Sequence, residues 1–475
     1  MKKTIKKFMA ALLAVAMLCA MAVPAMAASA NSNGSITINK AVDGQTYNAY
    51  RIFDLESYTT GADAKYSYTL SDKWKNAGFA NSTAFTSYFK LNGSYVEPLD
   101  SLSETTAADF AKLALDFAEK NNIDVDGTAP AASGKASFTG LPTGYYLIDT
   151  SVGSLCMLGT TADHVDIDEK NEVPDIDKTI TGGTTDITSD AKIGDVVNYE
   201  VVVHAKKGAA NYVVTDTMTE GLTFNNDIQV TAEGTDLIKD TDYTVNATEH
   251  GYTLTFTKTY LDGLTAKNTD VTITYSATLN SKAAIKGEEG ANKNTVKLTY
   301  GNKLETIEKT TETYTYKFDL VKTDKDNNLL AGAHFSLYET ADSKTAIPLV
   351  DLGNSVYRVA DAKDATTTTD IVTVDTGIIT IKGLSKGTYY LEETKAPEGF
   401  NKLESRKEVD LTDGNNLANM TNGAYVDGGA HIVNQSGTVL PGTGGIGTTI
   451  FYVVGGGLMV AAVILLITKK RMGNK

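Results

Sequence analysis

Val196-Val197-Asn198-Tyr199-Glu200-Val201-Val202-Val203 carries Val197, Tyr199, Val201 and Val203 on alternate positions, with polar residues between the first of them. Successive side chains of a strand point to opposite faces, so the run reads as a half-buried β-strand. Tyr252-Thr253-Leu254-Thr255-Phe256 and Val271-Thr272-Ile273-Thr274-Tyr275 repeat the pattern. Turn formers separate such runs, as at Asp262-Gly263, Asp326-Asn327-Asn328 and Lys382-Gly383. Short strands at this spacing predict an all-β protein of tandem immunoglobulin-like β-sandwiches. One helical stretch stands out, from about residue 103 to residue 120. It sets Phe110, Leu113 and Phe117 on one face, with Ser103 placed to cap its start.

Both ends read as processing signals. Lys2, Lys3, Lys6 and Lys7 precede an apolar stretch and then Ala25-Met26-Ala27, the order of a secretory signal peptide over residues 1–27. Near the other end an apolar run, 446–468, is long enough to cross a bilayer as a helix. Lys469-Lys470-Arg471 follow it and should stay cytoplasmic, which puts the preceding chain outside. The exported part keeps one cysteine, Cys156, which cannot make an intramolecular disulfide. It lies in an apolar stretch and reads as a buried small hydrophobe. The net charge of −15 argues against nucleic acid and anionic membrane surfaces as partners. The five His are scattered, with no Ser/His/Asp arrangement or metal-ligand spacing, so neither a hydrolase nor a cofactor is indicated. Asp324-x-Asp326-x-Asn328 starts like a calcium loop, but Leu329 replaces the required Gly and no closing Glu follows; a polar turn is expected.

An internal echo organises the middle. Gly140-Leu141-Pro142-Thr143-Gly144-Tyr145-Tyr146-Leu147-Ile148-Asp149-Thr150 recurs, one residue longer, as Gly383-Leu384-Ser385-Lys386-Gly387-Thr388-Tyr389-Tyr390-Leu391-Glu392-Glu393-Thr394. Each follows a strand motif ending in Lys, at Lys40 and at Lys322. Domains are therefore expected at 28–174, 175–313 and 314–437, with a terminal segment at 438–475.

Leu320-Val321-Lys322-Thr323-Asp324 and Tyr389-Tyr390-Leu391-Glu392-Glu393-Thr394-Lys395-Ala396-Pro397-Glu398-Gly399-Phe400 resemble the opening strand and the Y-x-L-x-E-T-x-A-P-x-G-[YF] box of CnaB-type domains. That resemblance implies a spontaneous isopeptide bond from Lys322 to Asn434, assisted by Glu393. The chemistry suits the residue types. Burial favours a neutral, nucleophilic amine and a protonated acid, and the fold supplies proximity. The other reading is a Lys322–Glu393 ion pair with Asn434 as a bystander. The middle unit is similar to the second domain of sortase-assembled pilins, which implies a second bond between Lys178 and Asn294 assisted by Asp216. In the first unit Lys40 and Asp149 align with Lys322 and Glu393, but no convincing terminal Asn follows. A buried Lys40–Asp149 ion pair is expected there.

Leu440-Pro441-Gly442-Thr443-Gly444, the apolar run and the basic tail together resemble the sorting signal read by sortases of Gram-positive bacteria. The resemblance implies cleavage between Thr443 and Gly444 and transfer of the Thr carbonyl to an amine. His164 to Pro174 resembles the pilin motif of major fimbrial subunits, with Lys170 as acceptor; Glu169 stands where that family usually has Pro. The whole is similar to a Gram-positive major pilin, a cell-wall-anchored structural protein and not an enzyme. The implied partners are other copies of the chain, sortase, tip and base pilins and peptidoglycan. The alternative is a peptidoglycan-anchored adhesin whose first domain binds a host or polysaccharide ligand.

Overall fold

The computed structural model describes residues 34–59, 65–103, 106–153, 156–160, 164–264, 268–288, 290–438 and 446–473. The signal peptide and Leu440, Pro441, Thr443 and Gly444 lie outside the described residues. Strands dominate, as the period-two pattern requires, and they assemble into sandwiches. The packing divides the chain into two units: Met1–Tyr316 with Val359–Asp364 and Lys382–Lys386, and Lys317–Arg358 with Ala365–Ile381 and Gly387–Lys475.

Within the first unit, the described strands up to Asp168 pair only among themselves. Strand Gly34–Asn39 lies between His164–Asp168, parallel to it, and Lys135–Leu141, antiparallel to it. A larger sheet is built around Thr46–Tyr58 and Gly144–Thr150. An aromatic core of Phe53, Trp74, Phe79, Phe85, Phe89 and Phe110 fills the space beneath the helix Ala107–Lys120. That helix buries Phe110, Ala111, Ala114 and Ala118, while Leu113 is exposed. The small alanines let the helix sit close to the sheet, which turns the expected Leu113 stripe toward solvent. Ser103 precedes the helix: its Oγ accepts from Thr106 N at 3.3 Å, and Thr106 Oγ1 accepts from Ser103 N at 2.8 Å.

The following strands form two facing sheets. One orders Asp175–Thr181, Val196–Lys206, Asn268–Leu279 and Gln229–Ala232. The other orders Thr188–Asp190, Lys309–Tyr314, Asn292–Tyr300, Val213–Met218, Gly251–Phe256 and Tyr243–Thr248. Each long strand buries alternate residues, so the core lies between the sheets.

The second unit repeats the parallel pairing of the first domain. Tyr316–Asp324 runs beside Ala430–Asn434 in parallel, with Lys322 opposite Ile432 and Asp324 opposite Asn434. The other sheet orders Ile371–Val372, His334–Tyr338, Thr388–Lys395 and Lys407–Asp410. The internal echo is thus structural, since Lys135–Leu141 and Ile378–Leu384 sit in the sheet of the opening strand while Gly144–Thr150 and Thr388–Lys395 sit in the opposing one. The Asp324 segment is a polar turn whose carboxylate accepts from Asp326 N, Asn328 N and Asn328 Nδ2 at 2.8–2.9 Å. Separately, Ile446–Met472 is one helix, and its Ile450–Met472 stretch is long and apolar enough to span a membrane, with mean hydropathy 2.6.

Candidate functional site: two buried lysine–acid–asparagine clusters

Lys178, Asp216 and Asn294 come together in the core between the two middle sheets. Lys178 faces inward on Asp175–Thr181 between Ile176 and Ile180. Asp216 faces inward on Val213–Met218, and Asn294 on the neighbouring Asn292–Tyr300. Asn294 is opposite Met218, so Asp216 is its diagonal neighbour on the same face. Lys178 Nζ donates to Asp216 Oδ2 at 2.5 Å, and both side chains are fully buried. Loss of hydration pushes the lysine amine down and the aspartic acid up, so burial drives both toward their neutral forms; their mutual attraction opposes this.

A fourth group completes the cluster, and nothing in the sequence singled it out. Tyr275, on Asn268–Leu279, places its hydroxyl among the other three. It donates to Asp216 Oδ2 at 2.6 Å and accepts from Asn294 Nδ2 at 3.2 Å and from Lys178 Nζ. Tyr199, its partner in register, stacks on it with ring centroids 5.4 Å apart, and Tyr252 meets it edge-on at 5.0 Å. The Lys178 ammonium position lies 5.1 Å from the centroids of both Tyr199 and Tyr275. The only available sign was that Tyr275 ends a quoted alternating strand on its inward face.

Lys322, Glu393 and Asn434 form the second cluster, each buried. Lys322 and Asn434 come from adjacent parallel strands of one sheet, and Glu393 comes from the facing sheet. Glu393 Oε1 accepts from Asn434 Nδ2 at 2.7 Å, while Leu403 N holds Oε2 at 2.8 Å. Lys322 Nζ donates instead to backbone carbonyls, Thr323 O at 3.1 Å and Ile432 O at 3.3 Å. Asn434 Oδ1 is buried with no hydrogen-bond donor among the described residues. Burial pulls the Lys322 amine down to about 8, against the attraction of Glu393 and Asp324.

The expected Lys40–Asp149 pair does not form. Strand Gly34–Asn39 stops one residue early, and Lys40 takes a left-handed backbone with φ of 57°. Its side chain turns outward to pair with Asp168 at 2.7 Å on the surface. Asp149 stays largely buried with Asn48 Nδ2 3.5 Å away, and burial raises its carboxyl to about 6.

Lys170 is exposed just after His164–Asp168. Glu169 fixes the backbone there: its Oε1 accepts from Lys170 N and Asn171 N at 2.8 Å and from Asn171 Nδ2 at 3.0 Å. Partial desolvation lowers the Lys170 amine, and Lys207 adds to the effect. Cys156 is buried, and burial pushes its thiol up. Among the described residues no group of His, Cys, Asp and Glu could hold a metal ion.

Residues 193–304 match the family model for the Gram-positive pilin backbone subunit 2, Cna-B-like domain. Residues 316–424 match the prealbumin-like fold domain of the SpaA type. The chain thus carries one domain of the Gram-positive pilin backbone family and one prealbumin-like domain. The pilin likeness extends to the fold over most of its length. It is 19% identical to a backbone pilin of Streptococcus pyogenes described as a modular three-domain structure, covering 80% of each chain with a TM-score of 0.54. It is 16% identical to the full-length RrgB pilus protein of Streptococcus pneumoniae, covering 88% of this chain and 100% of that one, with a TM-score of 0.51. A search of curated protein sequences finds no match.

Proposed function

We propose that this chain is the shaft subunit of a covalent surface pilus, internally braced by two isopeptide bonds. The observation that carries the reading is the pair of buried lysine–acid–asparagine clusters inside domains similar to those of pilin backbones. In each, the neutral lysine amine attacks Cγ of the asparagine, the new C–N bond forms, and the Cγ–Nδ2 bond breaks with loss of ammonia. Lys178 joins Asn294 with Asp216 assisting; Lys322 joins Asn434 with Glu393 assisting. The reaction happens once, within the molecule, so the protein is a substrate of its own fold and not an enzyme.

Polymerisation uses the ends. Sortase cuts the Leu440-Pro441-Gly442-Thr443-Gly444 signal between Thr443 and Gly444 and transfers the Thr443 carbonyl to Lys170 of another copy. That contact is head-to-tail and does not close, so it propagates as a filament. The exposed position of Lys170, its lowered amine pKa and the Glu169 clamp on its backbone suit an acceptor nucleophile. Domains at 28–174, 175–313 and 314–437, a basal attachment to peptidoglycan, and tip and base pilins as partners complete the reading.

Two measurements test it. The intact mass of the exported chain should fall short of its sequence by two ammonias; a full sequence mass rejects the bonds. Cell-wall extracts should give a detergent-resistant ladder that vanishes in Lys170→Ala. One wall-bound band from unmutated cells would favour the monomeric adhesin.

A further inference from the structure

The Tyr275 hydroxyl touches the attacking nitrogen, the departing nitrogen and the assisting acid of the middle cluster. We propose that Tyr275 is a catalytic residue of the Lys178–Asn294 linkage, carrying the proton from the attacking amine to the departing amide nitrogen. The inference rests on the isopeptide reading above and adds a participant to it.

The proton needs such a carrier. When the Lys178 amine adds to Cγ of Asn294, the new bond leaves a surplus proton on Nζ, while Nδ2 must gain one before it can depart as ammonia. Nζ and Nδ2 come from opposite sheets, and no water is needed between them because one oxygen already bridges both. Tyr275 accepts from each nitrogen and donates to Asp216 Oδ2 at 2.6 Å. In the tetrahedral intermediate Nδ2 becomes amine-like and can accept. Tyr275 then gives its proton to Nδ2, the neutral Asp216 reprotonates Tyr275, and the carboxylate so formed takes the surplus proton from Nζ. The Cγ–Nδ2 bond breaks, ammonia leaves, and acid and phenol end as they began. Nothing is oxidised or reduced.

The ring is held so that this oxygen cannot swing away. Tyr199 stacks on the ring and Tyr252 meets it at a near-perpendicular angle, while the backbone is fixed by register with Tyr199 across the central strand pair. In the third-domain cluster the acid itself contacts the asparagine amide. In the middle domain Asp216 accepts from the lysine amine, and the Tyr275 hydroxyl accepts from the asparagine amide.

The test is Tyr275→Phe in the exported chain, which keeps the ring and removes only the hydroxyl. Chain isolated unfolded is refolded, and ammonia loss at each site is followed by peptide mass against time. Linkage of Lys178 to Asn294 should slow about 100-fold, the usual scale for one positioned proton donor. Lys322 to Asn434 should link at the unmutated rate in the same molecules. Tyr243→Phe, which removes a hydroxyl elsewhere in the same domain, should link normally. Equal rates for Tyr275→Phe and the unmutated chain would overturn the inference while leaving the isopeptide reading intact, as would equal slowing by Tyr243→Phe. If the unmutated chain never links Lys178, the isopeptide reading of this domain fails and takes the inference with it. Should Tyr275→Phe not fold, a fluorinated tyrosine at 275 keeps size and shape but lowers the hydroxyl pKa; a changed rate supports proton transfer and an unchanged rate overturns it.

Discussion

Lys178 and Lys322 are both buried lysines on the opening strand of a sandwich, but their surroundings differ in kind. Lys178 faces an acid directly and reaches its asparagine across the gap between two sheets. Lys322 donates to two backbone carbonyls, and its acid is spent on the asparagine, which lies on the adjacent strand of the same sheet. Under the proposed linkages the middle bond would join one sheet to the other, whereas the third-domain bond would join the two strands through which the chain enters and leaves. The same three residue types are thus arranged for an inter-sheet staple in one place and for a terminal clasp in the other.

The comparison is tested hardest by removing each lysine and each asparagine separately. Closing a loop of about 115 residues is worth roughly 4–5 kcal/mol on the chain-entropy account used for disulfides. Asn294→Ala and Asn434→Ala should each lose about that much in denaturant unfolding. Lys178→Ala should lose more than Asn294→Ala, by about 2 kcal/mol, because Asp216 is left buried without its cation. Lys322→Ala should match Asn434→Ala, since its amine leaves only carbonyls behind. Equal gaps in the two domains would erase the distinction drawn here.

Pulling separates the two geometries in another way. Asn294 is not on the last strand of its domain; Leu304–Glu305 and Lys309–Tyr314 follow it in the same sheet. Under tension the residues beyond Asn294 can peel, about 20 of them, giving a step of roughly 70 Å at full extension. The third domain, clasped at entry and exit, should give no comparable step. A single-molecule trace without the shorter step, or with one from each domain, would break the contrast.

Proton linkage sharpens it further. In Asn434→Ala the Lys322 amine stays free, with its pKa at about 8 when folded against 10.5 when exposed. Between those values the unfolded chain binds the proton and the folded chain does not, so stability should climb by about 2–3 kcal/mol as pH rises from 8 to 10.5, and be flat below 8. A comparable effect belongs to the first domain. Burial holds the Asp149 carboxyl at about 6 rather than 3.8. The folded state keeps that proton in the window between, so its contribution is full below 3.8 and lost as pH passes 6. Asp149→Asn should therefore stabilise the domain at pH 7 by up to about 3 kcal/mol and give no gain below pH 4. Thermal unfolding across pH would show both.

Much of this molecule was written in local pattern. Period-two alternation specifies strands because side chains on a strand must take opposite faces, whereas Lys178, Asp216, Asn294, Lys322, Glu393 and Asn434 stood out through the resemblance to CnaB-type and pilin domains. The apolar terminal stretch specified a helix of spanning length by hydropathy alone. What pattern could not carry was where a strand ends and what faces it across the core. Lys40 aligns with Lys322, yet Gly34–Asn39 ends one residue before it and a left-handed turn sends the amine to the surface. Leu113 looked inward by spacing, but the alanines beside it set how closely the helix approaches the sheet. Tyr275 carries no motif at all; the register of one sheet brings its hydroxyl to a lysine 97 residues away along the chain, and the facing sheet adds Asp216 and Asn294. Alternation fixes which way a side chain points, and that depends on neighbours in sequence. Which groups then meet depends on register and on the facing layer, and those are properties of the assembled core.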